Sequence, residues 1–193
     1  METKHFKLRK DLSIEIKGGV KLYRIEATED ISGWSVKRGD VGGFVQCEEN
    51  LNDSSWIKGD AKVYGNAKVF GDSLIYDNAE VYGDAQIDGM SRIHGNAIIR
   101  GNAHCLTNAD VEYGTLSGYN DCVVIEANTP ITITKHGITI FGHFLKHKDW
   151  RNMTDQEFNE EFWGHRMTQW WRRWKPVVSA ICEANRYYEK EEK

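Results

Sequence analysis

The chain of 193 residues carries 25 lysines and arginines against 29 aspartates and glutamates, a formal charge of −4. A mean hydropathy of −0.60 and the lack of any apolar run long enough for a bilayer exclude a membrane helix. The acidic balance argues against a protein that coats nucleic acid. The length suits one domain, or one domain with a small appendage, and allows a sizeable core. The first residues, Met1 to Phe6, lack the apolar stretch of a secretion signal, and Cys47, Cys105, Cys122 and Cys182 form no CxxC pair. The expected setting is therefore the cytoplasm, with reduced thiols that mostly pack. Residues 1–44 read as a β-cap, with short strands at Ser13-Ile14-Glu15-Ile16 and from Lys21 to Ala27, then a paired glycine at Gly42 and Gly43.

Between residues 45 and 114 the sequence keeps a period of six. Apolar residues recur at Val45, Leu51, Ile57, Val63, Val69 and Ile75, and the series continues to Val111. Two places after most of them stands a turn former, such as Gly59, Gly65, Gly71 or Asp77. Two places further stands a small residue, such as Ala61, Ala67, Ser73 or Ala79. No α-helix holds a six-residue period in register. A coil that turns a corner at each repeat does: the corner needs unusual backbone angles, and the tight interior beside it needs a small side chain.

Stretches such as Val63-Tyr64-Gly65-Asn66-Ala67-Lys68 resemble the hexapeptide repeat of left-handed parallel β-helix proteins. That resemblance implies a mainly β fold in which three hexads close one triangular coil, and in which homotrimers are common. The entry segment Gly39-Asp40-Val41-Gly42-Gly43-Phe44-Val45 is similar to that of a group of small phage and bacterial hexapeptide-repeat proteins. Phe141-Gly142-His143-Phe144 departs from the glycine-cysteine pair common in that group's hairpin, so no cysteine role carries over. With three hexads per coil, residues eighteen apart share a face at about 4.8 Å per coil. Tyr64, Tyr82 and Arg100 then stand on one face, Tyr76, Arg92 and His94 on a second, and Phe70 and His104 on a third. Outward aromatic residues stacked in this way are expected at an interface between chains or at a binding surface.

After Gly114 the period stops. Residues 115–145 read as a β-hairpin region, with alternating strands at 122–126 and 131–134 and a turn at His136-Gly137 leading into Ile138. Residues 146–193 read as a helical segment. Thr154 and Glu157 form a capping box for a helix running to about Trp174, and Pro176 interrupts it or opens a second helix. Phe158, Phe162, Trp170 and Trp174 fall on one stripe expected to face a core, leaving Trp171, Arg166 and Arg173 off it.

Rings beside guanidinium groups suit an aromatic phosphate ester, since a base stacks on the ring and arginine forks pair with phosphate oxygens. The leading expectation is a non-catalytic, oligomeric binder that sequesters an anionic small molecule, a nucleotide immune signal, in pockets between chains of a phage-type trimer. Its candidate ligand-binding residues are Tyr64, Tyr76, Tyr82, Arg92, His94 and Arg100 on the coil and Arg166, Trp171 and Arg173 beyond it. The alternative implied by the resemblance is an acyltransferase using a coenzyme A thioester, with His94 or His104 as general base. A third expectation is a structural or protein-binding scaffold. No metal is expected, because His94 and His104 fall on different faces and need an assumed partner to form a zinc site.

Overall fold

The computed structural model of the chain describes residues 4–118, 121–125, 129–162 and 168–187. Strands β1 (Phe6–Ile16) and β2 (Val20–Ala27) form an antiparallel hairpin, and β2 pairs with β3 (Val41–Val45). From β3 onward the chain is a parallel β-solenoid with three sides. The first side continues through β5 (Lys62–Val63), β8 (Glu80–Val81), β11 (Ile98–Ile99) and β14 (Thr115–Leu116). The second holds β4 (Trp56–Ile57), β7 (Leu74–Ile75), β10 (Arg92–Ile93) and β13 (Asp110–Val111). The third holds β6 (Lys68–Val69), β9 (Gln86–Ile87) and β12 (His104–Cys105), extended by a bridge from Leu51 to Val69.

The register confirms the eighteen-residue coil: Lys62 pairs with Glu80 and Glu80 with Ile98. The second element of each pair points inward, so Val63, Val69, Ile75, Val81, Ile87 and Ile93 are fully buried. The small residues Ala61, Ala67, Ser73, Ala79 and Ala85 are buried beside them. From Asp53 onward each corner takes a positive φ. Glycine supplies it at Gly59, Gly65, Gly71, Gly83, Gly89, Gly95 and Gly101, with φ between 60° and 74°. Asp53 and Asp77 adopt the same conformation, and each carboxylate accepts the backbone N–H of the glycine one coil further on, Gly71 at 2.9 Å and Gly95 at 3.1 Å. An aspartate thus trades backbone strain for a bond between coils.

Gly42 and Gly43 serve a different need. Both are buried, and neither has a positive φ. A Cβ on Gly43 would lie 2.4 Å from Ile57 Cγ2, and one on Gly42 would lie 2.4 Å from the Ile57 carbonyl oxygen. The pair lets β3 lie directly against the first coil.

The cap is tied down by His5, whose Nε2 lies 2.8 Å from the Ser55 carbonyl oxygen in a buried setting. Burial holds the His5 pKa below its usual value of 6.5, against the opposing pulls of the Ser55 carbonyl, Glu29 and Asp53. A histidine whose folded pKa is depressed contributes stability that is complete above the unfolded pKa and lost as pH falls through the folded one. Melting temperature should therefore decline as the pH falls below 6.5, and His5→Gln should flatten that part of the profile in a pH series of thermal melts.

Beyond the solenoid, β15 (Cys122–Ile125), β16 (Ile131–Thr134), β17 (Gly137–Ile140) and β18 (His143–Leu145) form an antiparallel meander. Its alternation serves two cores. Cys122 and Val124 pack against the solenoid interior, while Ile131, Ile133, Ile138 and Ile140 join a second core with the helices. The meander also closes the last coil by hydrogen bonds, with Asp110 N–H donating to Thr132 Oγ1 at 2.9 Å. The expected turn at His136-Gly137 sits one residue earlier, at Lys135-His136, and Gly137 opens β17 opposite Thr134. The shift follows from packing: a Cβ on Gly137 would lie 2.3 Å from the Phe144 ring.

Helices α1 (His147–Asn152), α2 (Asp155–Glu161) and α3 (Thr168–Ala184) cover the meander. None is long and apolar enough to cross a membrane. Thr154 and Glu157 form the expected capping box. The helix it starts ends at Phe162, with φ −115° and ψ 55°, instead of continuing to Trp174. Pro176 lies inside α3 on its exposed side.

Candidate functional site

The coil places its aromatic candidates in two separate columns. Tyr64 and Tyr82 stack with centroids 4.9 Å apart and planes 6° from parallel, and Arg100 stands exposed on the next coil of the same column. Burial, together with the Glu80 carboxylate, pushes the Tyr64 hydroxyl up to about 12. Tyr76 and His94 stack in the same way at 4.7 Å and 4°. The two pairs occupy different corners of one coil, so a single chain does not unite them. His94 Nε2 lies 2.9 Å from an Asp110 carboxylate oxygen, whereas His104 belongs to β12 on another side.

Arg92 is exposed, with its guanidinium 5.8 Å from the centre of the Trp34 ring. Arg173 is exposed on α3, 5.3 Å from the Trp174 ring centre. Arg166 lies outside the described residues. Trp171 corrects the stripe expected from the sequence. It is 1% exposed, stacked on Phe158 at 4.3 Å, edge-on to Trp150, and its indole N–H donates to Asp155 at 2.9 Å. Trp170 and Trp174 are only partly buried. The end of α2 at Phe162 separates the phase of α3 from that of α2, so a stripe counted through both names the wrong indole. With its ring enclosed, Trp171 has no free face for a ligand.

A pocket with two lysines lies at the seam between solenoid and meander. It has a volume of about 560 Å³ and is lined by Tyr113, Gly114, His136, Phe144, Lys146 and Lys148. Its origin is a single missing residue. Ile98 pairs with Thr115 and Ile99 with Leu116, a step of seventeen where every earlier step is eighteen. The shortened corner turns at Gly114, with φ +90°. A Cβ there would lie 2.2 Å from His136 Cδ2, so glycine admits the imidazole, whose Nε2 accepts the Thr115 N–H at 3.0 Å. Tyr113 is 45% exposed and meets Phe144 edge-on at 5.3 Å. Two lysines and two aromatic residues thus line one hollow, with no carboxylate among its described lining residues.

The sequence reading missed these lining residues. Its available signal was the hexad count, which falls one residue short between Val111 and Leu116. No protein-family model and no curated protein sequence matches the chain.

Proposed function

We propose that the protein is a non-catalytic binder of an anionic small molecule bearing a flat ring, with a nucleotide as the ligand. The observation that supports this most directly is the seam pocket, where Tyr113 and Phe144 offer ring surface while Lys146 and Lys148 supply positive charge at the rim. A mostly apolar hollow with a few convergent charges is the usual form of a small-molecule site, and lysine meets phosphate as a mobile point charge. The resemblance to hexapeptide-repeat proteins adds a left-handed coil and a cyclic trimer to this reading. In such a trimer, the exposed Arg100 beside the Tyr64–Tyr82 column would face a neighbouring chain. The likeness of the entry segment to phage proteins favours sequestration of a nucleotide signal as the biological role.

Thermal-shift screening against cyclic and linear nucleotides, followed by recovery of the ligand, tests the reading. The expected result is a raised melting temperature with the nucleotide recovered intact. Lys146→Glu should weaken binding at least about tenfold, while Lys146→Arg retains it. Equal affinity in the glutamate variant would remove the pocket from the binding site.

A second reading, acyl transfer from a coenzyme A thioester, draws on the His94–Asp110 contact. A carboxylate beside an imidazole orients it and supports it as a general base. Consumption of acetyl-coenzyme A that disappears in His94→Ala would favour this reading over sequestration.

A further inference from the structure

The corner between the third and second sides carries a column of residues one coil apart: Ser54, Asp72, Met90 and Asn108. Along it run two hollows of about 450 and 290 Å³ that meet at Trp34, Met90 and Arg92. The loop through Trp34 walls the groove on the cap side, fastened where Lys58 Nζ donates to the Trp34 carbonyl at 2.8 Å. Pro130 and Phe141 of the meander region close the far end. Three coil steps at about 4.8 Å give it a length of about 14 Å, enough for roughly four residues of extended chain.

It carries charges of both signs. The larger hollow is lined by Glu29, Asp30, Asp53 and Asp72. Asp30 is paired with Lys37 at 2.9 Å, and Asp53 accepts the Gly71 N–H. Glu29 and Asp72 form no ion pair with any described residue. The smaller hollow contains Arg92 and Asp110, and Asp110 is engaged by His94 at 2.9 Å. Arg92 likewise has no ion-pair partner among the described residues. Arg92 lines both hollows, and beside it the Trp34 ring and Met90, which is 58% exposed, add apolar surface.

A simple anion entering here meets the acids, and a simple cation meets Arg92. A ligand carrying both charges, separated by an apolar body, satisfies the whole groove. We infer that this groove binds a short peptide with free termini and apolar side chains. Its terminal carboxylate is held by the Arg92 guanidinium, and its ammonium group lies toward Glu29 and Asp72. Arginine suits the first contact because its fork matches carboxylate geometry. Met90 suits the middle because an unbranched thioether adapts to different side chains. The site is separate from the seam pocket and does not depend on the nucleotide reading.

The test is an NMR titration of the full chain, following the Met90 methyl and Trp34 indole signals. The probes are the tripeptide Ala-Ala-Phe, its C-terminal amide and its N-acetyl form. The free peptide should shift both signals, and amidation should weaken binding at least about tenfold. In Arg92→Gln, peptide and amide should bind equally, and Asp72→Asn should reduce the preference for the free amine. Arg92 is exposed, so an unchanged melting temperature in Arg92→Gln will show that the fold is kept. Equal affinity of peptide and amide for the unaltered protein, or no shift at millimolar peptide, overturns the inference. Lys146→Glu should leave the titration unchanged, so that failure of the seam pocket and failure of the groove are told apart.

Discussion

Gly43→Val should cost about 3 kcal/mol or more, the upper range for overpacking a closed core. The new Cβ would begin 2.4 Å from Ile57 Cγ2 and 2.7 Å from the Ala61 carbonyl oxygen. Neither can retreat, because Ile57 is fully buried and the Ala61 carbonyl accepts the Phe44 N–H at 2.9 Å. The strand that joins cap to coil would lift away, exposing the end of the apolar column. Urea denaturation measures the loss, and Gly33→Ala serves as the comparison. Gly33 has nothing within 4 Å of a built Cβ and no positive φ, so its substitution should leave the urea midpoint nearly unchanged.

Gly114→Val should have a comparable cost and should also abolish the nucleotide binding proposed for the seam pocket. Valine meets two obstacles at this position, a φ of +90° and a Cβ only 2.2 Å from the His136 ring. Expelling the imidazole leaves the part-buried Thr115 N–H without its acceptor, a loss of about 1 kcal/mol. Nucleotide affinity, followed by calorimetry, should fall with the pocket. Tyr113→Ala separates the two effects. Tyr113 is 45% exposed, so its truncation should weaken ring binding while leaving the melting temperature close to that of the unaltered chain.

The solenoid was legible because its constraint is local and repeated. A positive φ at each corner from Asp53 onward and an inward apolar residue four places before each small one recur with fixed spacing as far as Val111. The stacked pairs Tyr64–Tyr82 and Tyr76–His94 follow from the same count. The C-terminal half resisted because its periodicities are short and interrupted. Trp171 and Trp174 differ by three places, and which of them is buried depends on where α2 ends, a matter decided by packing around Phe158 and Phe162. The seam pocket was hidden for a different reason: its walls come from Tyr113, His136 and Phe144, which meet only through the docking of the meander on the last coil. The groove needed the loop through Trp34 to fold over Arg92, and no sequence spacing encodes that approach.

The constant step of eighteen, broken once at the end, makes the coil number a variable independent of everything at its ends. Each internal coil presents the same hydrogen-bonding edges above and below, as in the pairings of Lys62, Glu80 and Ile98. Duplicating one whole coil would move the meander about 4.8 Å along the axis without rotating it, so the seam pocket would travel intact with its shortened corner. The groove at Trp34 would not survive unchanged, since one wall belongs to the cap and its far end to the meander region. A six-residue insertion would instead turn the meander by one side of the triangle and leave the coil equally well paired. Coil count therefore sets the distance between cap and meander, and hexad count sets the angle between them.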